Sequence, residues 1–134
     1  MKRALVLATA LLATACGVRP SDVILGGPAP TATSTIPVFW VSDGHVTPVL
    51  RPDSGSGLAL LATGPTTAEA EQGYTTEVPA GIVFGTAGST VTVSVDVTSL
   101  STNAVDQIVC TAAAGDVTLV SGDQSLGPLT CPVG

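Results

Sequence analysis

Few residues of this chain carry the chemistry of an active site, and their spacing keeps them apart. The single histidine, His45, follows Asp43 and Gly44, and beside a serine it could serve a hydrolase. No nucleophile-elbow motif accompanies it and no second histidine exists, so a surface histidine at a hairpin is the expectation. Asp43, Asp53 and Glu69 lack the spacing of a calcium loop. Ser54-Gly55-Ser56-Gly57 lacks the Lys-Ser/Thr that completes a phosphate cradle. Glu69, Glu71 and Glu77 read as a solvated acidic patch unless an apolar environment raises the pKa of one of them. Phe39 and Trp40 adjoin in an apolar run; on a strand they face opposite sides, one into the core and the other available as a contact. No catalytic residue, metal site or cofactor is expected.

The cysteines are more informative. Met1-Lys2-Arg3 is a charged start, Ala4 to Leu12 an uncharged apolar run, and the small residues Ala13-Thr14-Ala15 lead directly into Cys16. That order is a secretory signal, and the apolar run is too short to span a bilayer. With Cys16 directly after the small residues, the segment resembles a bacterial lipoprotein signal, which implies cleavage between Ala15 and Cys16 and a diacylglycerol on the Cys16 thiol. Ala13 stands where such signals usually carry Leu. Ala13-x-Ala15 also reads as an ordinary signal-peptidase site that would release a soluble protein. Cys110 and Cys131 then remain as an even pair in an oxidising compartment, where a bridge would close a loop of about 20 residues and stabilise by ~3 kcal/mol. Two buried free thiols are the other reading.

Charge narrows the partners. The chain of 134 residues suits one modest domain, and its formal net charge is −6 although Lys2 and Arg3 sit in the signal. Such a surface repels phosphate backbones and anionic headgroups, which argues against nucleic acid. Residues 17–35 are rich in Gly, Pro, Ser and Thr without periodicity and read as a tether spanning on the order of 25 Å. The organisation is therefore a signal over residues 1–15, a tether over 16–35 and one domain over 36–134.

Within that domain, Ile36 to Val41 reads as a strand, Ser42-Asp43-Gly44 as a turn, and His45 to Leu50 as the returning strand of a hairpin. Leu58 to Ala62 is a short helix that Gly64-Pro65 stops. Thr66 and Glu69 fit a capping box, and Gly73 ends that turn. Ile82 to Thr86 is a strand, and Val91, Val93, Val95 and Val97 alternate with polar residues as another. Asn103 caps a helix carrying Val105, Ile108, Val109 and Ala112, and Val117 to Val120 is the last strand. The order β-β-α-β-β-α-β describes a small α+β domain, an antiparallel or mixed sheet with helices on one face.

Leu60-Leu61-Ala62-Thr63-Gly64-Pro65-Thr66, followed by Glu69, Gly73, Thr75-Thr76 and Val78-Pro79, resembles the signature of the sporulation and spore-germination (GerMN) domain. Val95-Asp96-Val97 and Gln107-Ile108-Val109-x-Thr111 match further, and the resemblance covers about Pro37 to Ser121. Tyr74 stands where a Leu is usual, the segment after Pro79 is compact, and the cysteine pair is not general to that domain. The signal and tether resemble those of small actinobacterial lipoproteins carrying it. Gly64, Pro65, Thr66, Glu69, Gly73, Thr76 and Pro79 are expected to be structural, because the turn and cap chemistry accounts for the block without a substrate. The resemblance implies a non-catalytic module lipid-anchored on the extracytoplasmic face of the cell membrane, acting through protein or envelope contacts in sporulation, germination or envelope function. A sheet edge or the Trp40 region would be the contact surface, and a homo-oligomer through that edge is compatible with it. A soluble secreted binder of a small envelope ligand is the alternative; a hydrolase built on His45 is the third reading.

Overall fold

A computed structural model describes residues 34–53, 55–112 and 115–133, within the unit Ala32–Gly134. The signal, its Ala15–Cys16 cleavage position and the tether up to residue 33 lie outside the described residues.

The first element is the expected hairpin, β1 (Thr35–Ser42) against β2 (His45–Pro52), in register from Thr35↔Pro52 to Ser42↔His45. Its two-residue turn requires positive φ at both positions, and Asp43 (φ 51°) and Gly44 (φ 76°) supply it. Ser34, assigned to the tether by composition, already accepts from the Asp53 N–H at 2.8 Å. Next come α1 (Gly57–Thr63) and α2 (Thr67–Glu71). Between them Gly64, at φ 84°, donates its N–H to the Leu61 carbonyl and turns the chain, and Pro65 prevents continuation.

A second sheet follows, with β3 (Phe84–Ala87), β4 (Thr90–Val93), β5 (Val117–Ser121) and β6 (Gln124–Leu129) in the order β3-β4-β5-β6. β4 and β5 are parallel and the other pairs antiparallel. The crossover between β4 and β5 carries a 3-10 turn (Val97–Ser99) and the longest helix, α3 (Thr102–Ala112). The protein is thus α+β, as expected, with its strands divided between an antiparallel hairpin and a mixed sheet.

Four local expectations are corrected. The strand through Val97 ends at Val93 because Asp96 Oδ1 accepts from the Thr98 N–H (2.8 Å) and hydroxyl (2.7 Å), offering the backbone a turn in place of the ladder. Val97 keeps the buried side of the alternation but from the 3-10 turn. Ser101, rather than Asn103, caps α3: its hydroxyl accepts from Ala104 N at 3.1 Å, while Asn103 lies inside the helix and donates to Glu77 Oε2 at 2.6 Å. A sixth strand, β6, follows the one expected to be the last; Gly127-Pro128 is tolerated because β6 is an edge.

The fourth correction concerns the hairpin faces. Trp40 is fully buried with Val38, Leu61 and Ile108 in the main core, and Phe39, on the opposite side, is buried as well. Phe39 packs in a second cluster with Val46, Cys110 and Cys131, so neither aromatic is a surface contact. The β1 edge is covered too. Val41 and Thr75 exchange both backbone bonds at 2.8 Å, while Phe39 donates its N–H to Thr111 Oγ1 (3.2 Å) and accepts from Gln107 Nε2 (3.0 Å).

Gln107 holds this junction. It has no exposed surface, donates also to Thr76 Oγ1 at 3.1 Å, and its Oε1 accepts from Glu77 N at 2.9 Å. Gln107→Met keeps the volume but leaves the Phe39 carbonyl and the Glu77 N–H without their partner, so it should lower unfolding free energy by about 2–4 kcal/mol in urea titrations. A loss within the error of the control would mean that water replaces these bonds.

Candidate functional site

The resemblance block sets a polar node at the margin of the apolar core, with Thr66, Gly73 and Pro79 exposed and Glu69 buried. Thr66 is the N-cap of α2: its hydroxyl accepts from Glu69 N at 3.2 Å, and Glu69 Oε1 accepts from Thr66 N at 2.9 Å, completing the expected capping box. Glu69 does more than cap. Its side chain is about one-tenth exposed, and Arg51 of β2 grips it through two nitrogens, Nε to Oε2 at 3.1 Å and Nη2 to Oε1. The Arg51 guanidinium also lies over the Trp40 ring, 5.3 Å from its centroid.

Glu69 therefore leaves the solvated patch expected for it. Its pKa falls from the usual 4.5 to about 2, chiefly through the Arg51 hydrogen bonds; burial opposes the shift, and the Thr66 N–H and the Arg51 charge add to it. Trp40 Nε1 is buried and makes no hydrogen bond among the described residues. The paired carboxylate accepts from the guanidinium and a backbone N–H and has no proton to give, so it suits positioning rather than acid–base catalysis.

Three further residues of the block make backbone or side-chain hydrogen bonds. Gly73 donates its N–H to the Ala70 carbonyl after α2, Thr76 accepts from Gln107 and from Val78 N (3.1 Å), and Pro79 accepts from Ile82 N (3.4 Å). His45 is exposed at the hairpin end, and no group of three His, Cys, Asp or Glu side chains that could hold a metal occurs among the described residues. Glu71 and Glu77 are exposed, as expected. Sequence reasoning missed Arg51, and gave Gln107 only as a match in the resemblance, without its role at the hairpin edge. The first had a signal, being the only Lys or Arg after Arg19 in an acidic chain; the second interrupts the apolar stripe of α3.

Cys110 of α3 and Cys131 after β6 stand at disulfide distance, with Cα atoms 4.7 Å apart. Two shallow grooves on other faces are lined largely by apolar residues. One, of about 440 Å³, runs between α1 and β3 past Ala59, Ala62 and Val83; the other, of about 370 Å³, lies between the 3-10 turn, α3 and β6.

Comparisons with protein-family models, with curated proteins and with solved structures return no match.

Two outcomes test the geometry. The Glu69 carboxyl has a lower pKa folded than unfolded, so its contribution is complete above about pH 5 and drains as pH falls from about 5 to 2. Glu69→Gln should cost about 2–3 kcal/mol at neutral pH and flatten that acid limb, read by circular dichroism across the pH series. Replacing both cysteines by serine should lower stability by roughly 3 kcal/mol, the entropy of a loop of this size, and the reduced wild type should match the double variant.

Proposed function

We propose that this chain is an exported, lipid-anchored, non-catalytic envelope module with a GerMN-like domain, working through protein or envelope contacts on the extracytoplasmic side of the membrane. The observation that carries the reading is the deployment of reactive side chains in the described body. Glu69 is consumed by Arg51 and the α2 cap, Asp96 by Thr98, Gln107 and Thr111 by the Phe39 backbone, and His45 stands alone on a turn. Such an arrangement favours a rigid body that presents surface over one that turns over substrate.

Two further features support the location. Lys2-Arg3, the apolar run and Ala13-Thr14-Ala15 before Cys16 have the order of a lipoprotein signal. Cys110 and Cys131 at bonding distance suit an oxidising compartment. The contact surface is reassigned from the Trp40 region, which is buried, to the apolar grooves beside α1 and α3.

The test is fractionation of the protein expressed in a bacterial envelope, with intact mass of the N-terminal peptide. Wild-type chain should partition with membranes and begin at a Cys16 carrying diacylglycerol mass; Cys16→Ser should move it to the soluble fraction or leave it uncleaved. A wild-type chain in the medium with unmodified Cys16 would overturn the anchor and leave the secreted binder as the reading.

A further inference from the structure

The groove between the 3-10 turn, α3 and β6 combines an apolar floor with one carboxylate that has no partner among the described residues. Val97 and Leu100 come from the turn, Val105 and Asp106 from α3, and Leu126 and Leu129 from β6. Thr102, Val105 and Asp106 fall at i, i+3 and i+4, so one helix face forms the wall. Leu126 is 37 % exposed, among the few large apolar side chains of the described residues left in solvent. At about 370 Å³ the groove lies at the lower end of the roughly 300–1,000 Å³ of clefts that bind small ligands.

Asp106 is half-buried in that wall and takes part in no hydrogen bond or ion pair among the described residues. Desolvation holds its pKa above the ordinary value, which marks a carboxylate paying for burial without a compensating charge. No cation of the described body can supply one. Arg51 is its only Lys or Arg, and Glu69 holds it. A second copy brings the same deficit and adds like-charge repulsion, and nucleic acids and anionic lipid surfaces bring more negative charge. Against these, charge complementarity favours a segment that carries a Lys or Arg beside apolar side chains.

We propose that this groove docks a cationic, aliphatic-bearing segment of a partner protein, its Lys or Arg pairing with Asp106 while a neighbouring aliphatic side chain seats between Leu100, Leu126 and Leu129. The apolar contact supplies most of the affinity, and the charge pair supplies register and rejects acidic segments. The assignment rests on the described body alone and stands independently of lipid at Cys16.

The test uses the exported chain with Cys16→Ser, oxidised and labelled for backbone NMR, titrated with an acetylated, amidated hexapeptide of alternating Leu and Lys. Shifts are expected for residues 97–106 and 125–129, with millimolar or tighter affinity. Asp106→Asn should weaken binding about 3- to 10-fold, and Leu126→Ser, at an exposed position, should weaken it comparably while leaving the unperturbed spectrum folded. A Leu-Glu hexapeptide should not bind. The proposal is overturned by the absence of shifts, by equal binding of the Leu-Glu peptide (an apolar groove alone), or by a Ser-Lys peptide binding as well with shifts spread over Asp43, Asp116 and Asp123 (a general acidic surface). Concentration-dependent shifts at these residues without peptide would assign the groove to a second copy and overturn it as well.

Discussion

A buried carboxylate is tolerable only when its charge is matched, and the Glu69 carboxylate joins three parts of this protein that are otherwise separate in the chain. It receives the backbone N–H of Thr66 from the start of α2 and the guanidinium of Arg51 from β2, and that guanidinium lies over the Trp40 ring of β1. Removing one partner leaves an uncompensated charge against the core, whereas the intact set satisfies both the helix start and the ion. The stacking of Arg51 over Trp40 also covers the apolar face that the hairpin turns inward. The GPT-x-x-E block therefore has a reason beyond local turn geometry: its glutamate fixes where the hairpin sits.

The second constraint is the hairpin itself. A two-stranded ribbon is marginal in water, since it offers two faces and two edges to be satisfied. Here one face enters the main core through Val38 and Trp40, and the other is closed by Val46, Cys110 and Cys131 around Phe39. The β1 edge is closed by Thr75 and by the Gln107 and Thr111 side chains of α3. A free edge strand invites pairing with another chain, and β1 is protected from it.

Legibility in the sequence follows the distance over which a residue acts. The Asp43-Gly44 turn, the Thr66–Glu69 box, the Gly64-Pro65 stop and the Val91/Val93 alternation are fixed by neighbours and were readable. Arg51 with Glu69, 18 positions apart, and Gln107 with Phe39, 68 apart, depend on tertiary placement and were not. The burial of both Phe39 and Trp40 escaped for the same reason, because alternation on a strand says which side each takes and nothing of what covers it. β6 was hidden by its composition: Gln124-Ser125-Leu126-Gly127-Pro128-Leu129 has polar and chain-breaking residues that an edge accepts and a central strand refuses. In α3 the competition was between two good caps, Ser101 and Asn103, and the backbone chose the one that left Asn103 to reach Glu77.

The shortage of cations that makes Arg51 irreplaceable for Glu69 also shapes how the body meets other molecules. With Arg51 committed, the remaining carboxylates of the described residues have no cationic partner among those residues, and their field extends about one Debye length, ~8 Å at physiological salt. A field of that reach acts on encounter rates and on which partners can approach, and it adds little to the strength of a contact once formed. Strength must come from apolar area, and the described surface offers this in the shallow grooves beside α1 and α3. Charge and apolar area thus act on different steps of any contact, the first on approach and the second on dissociation.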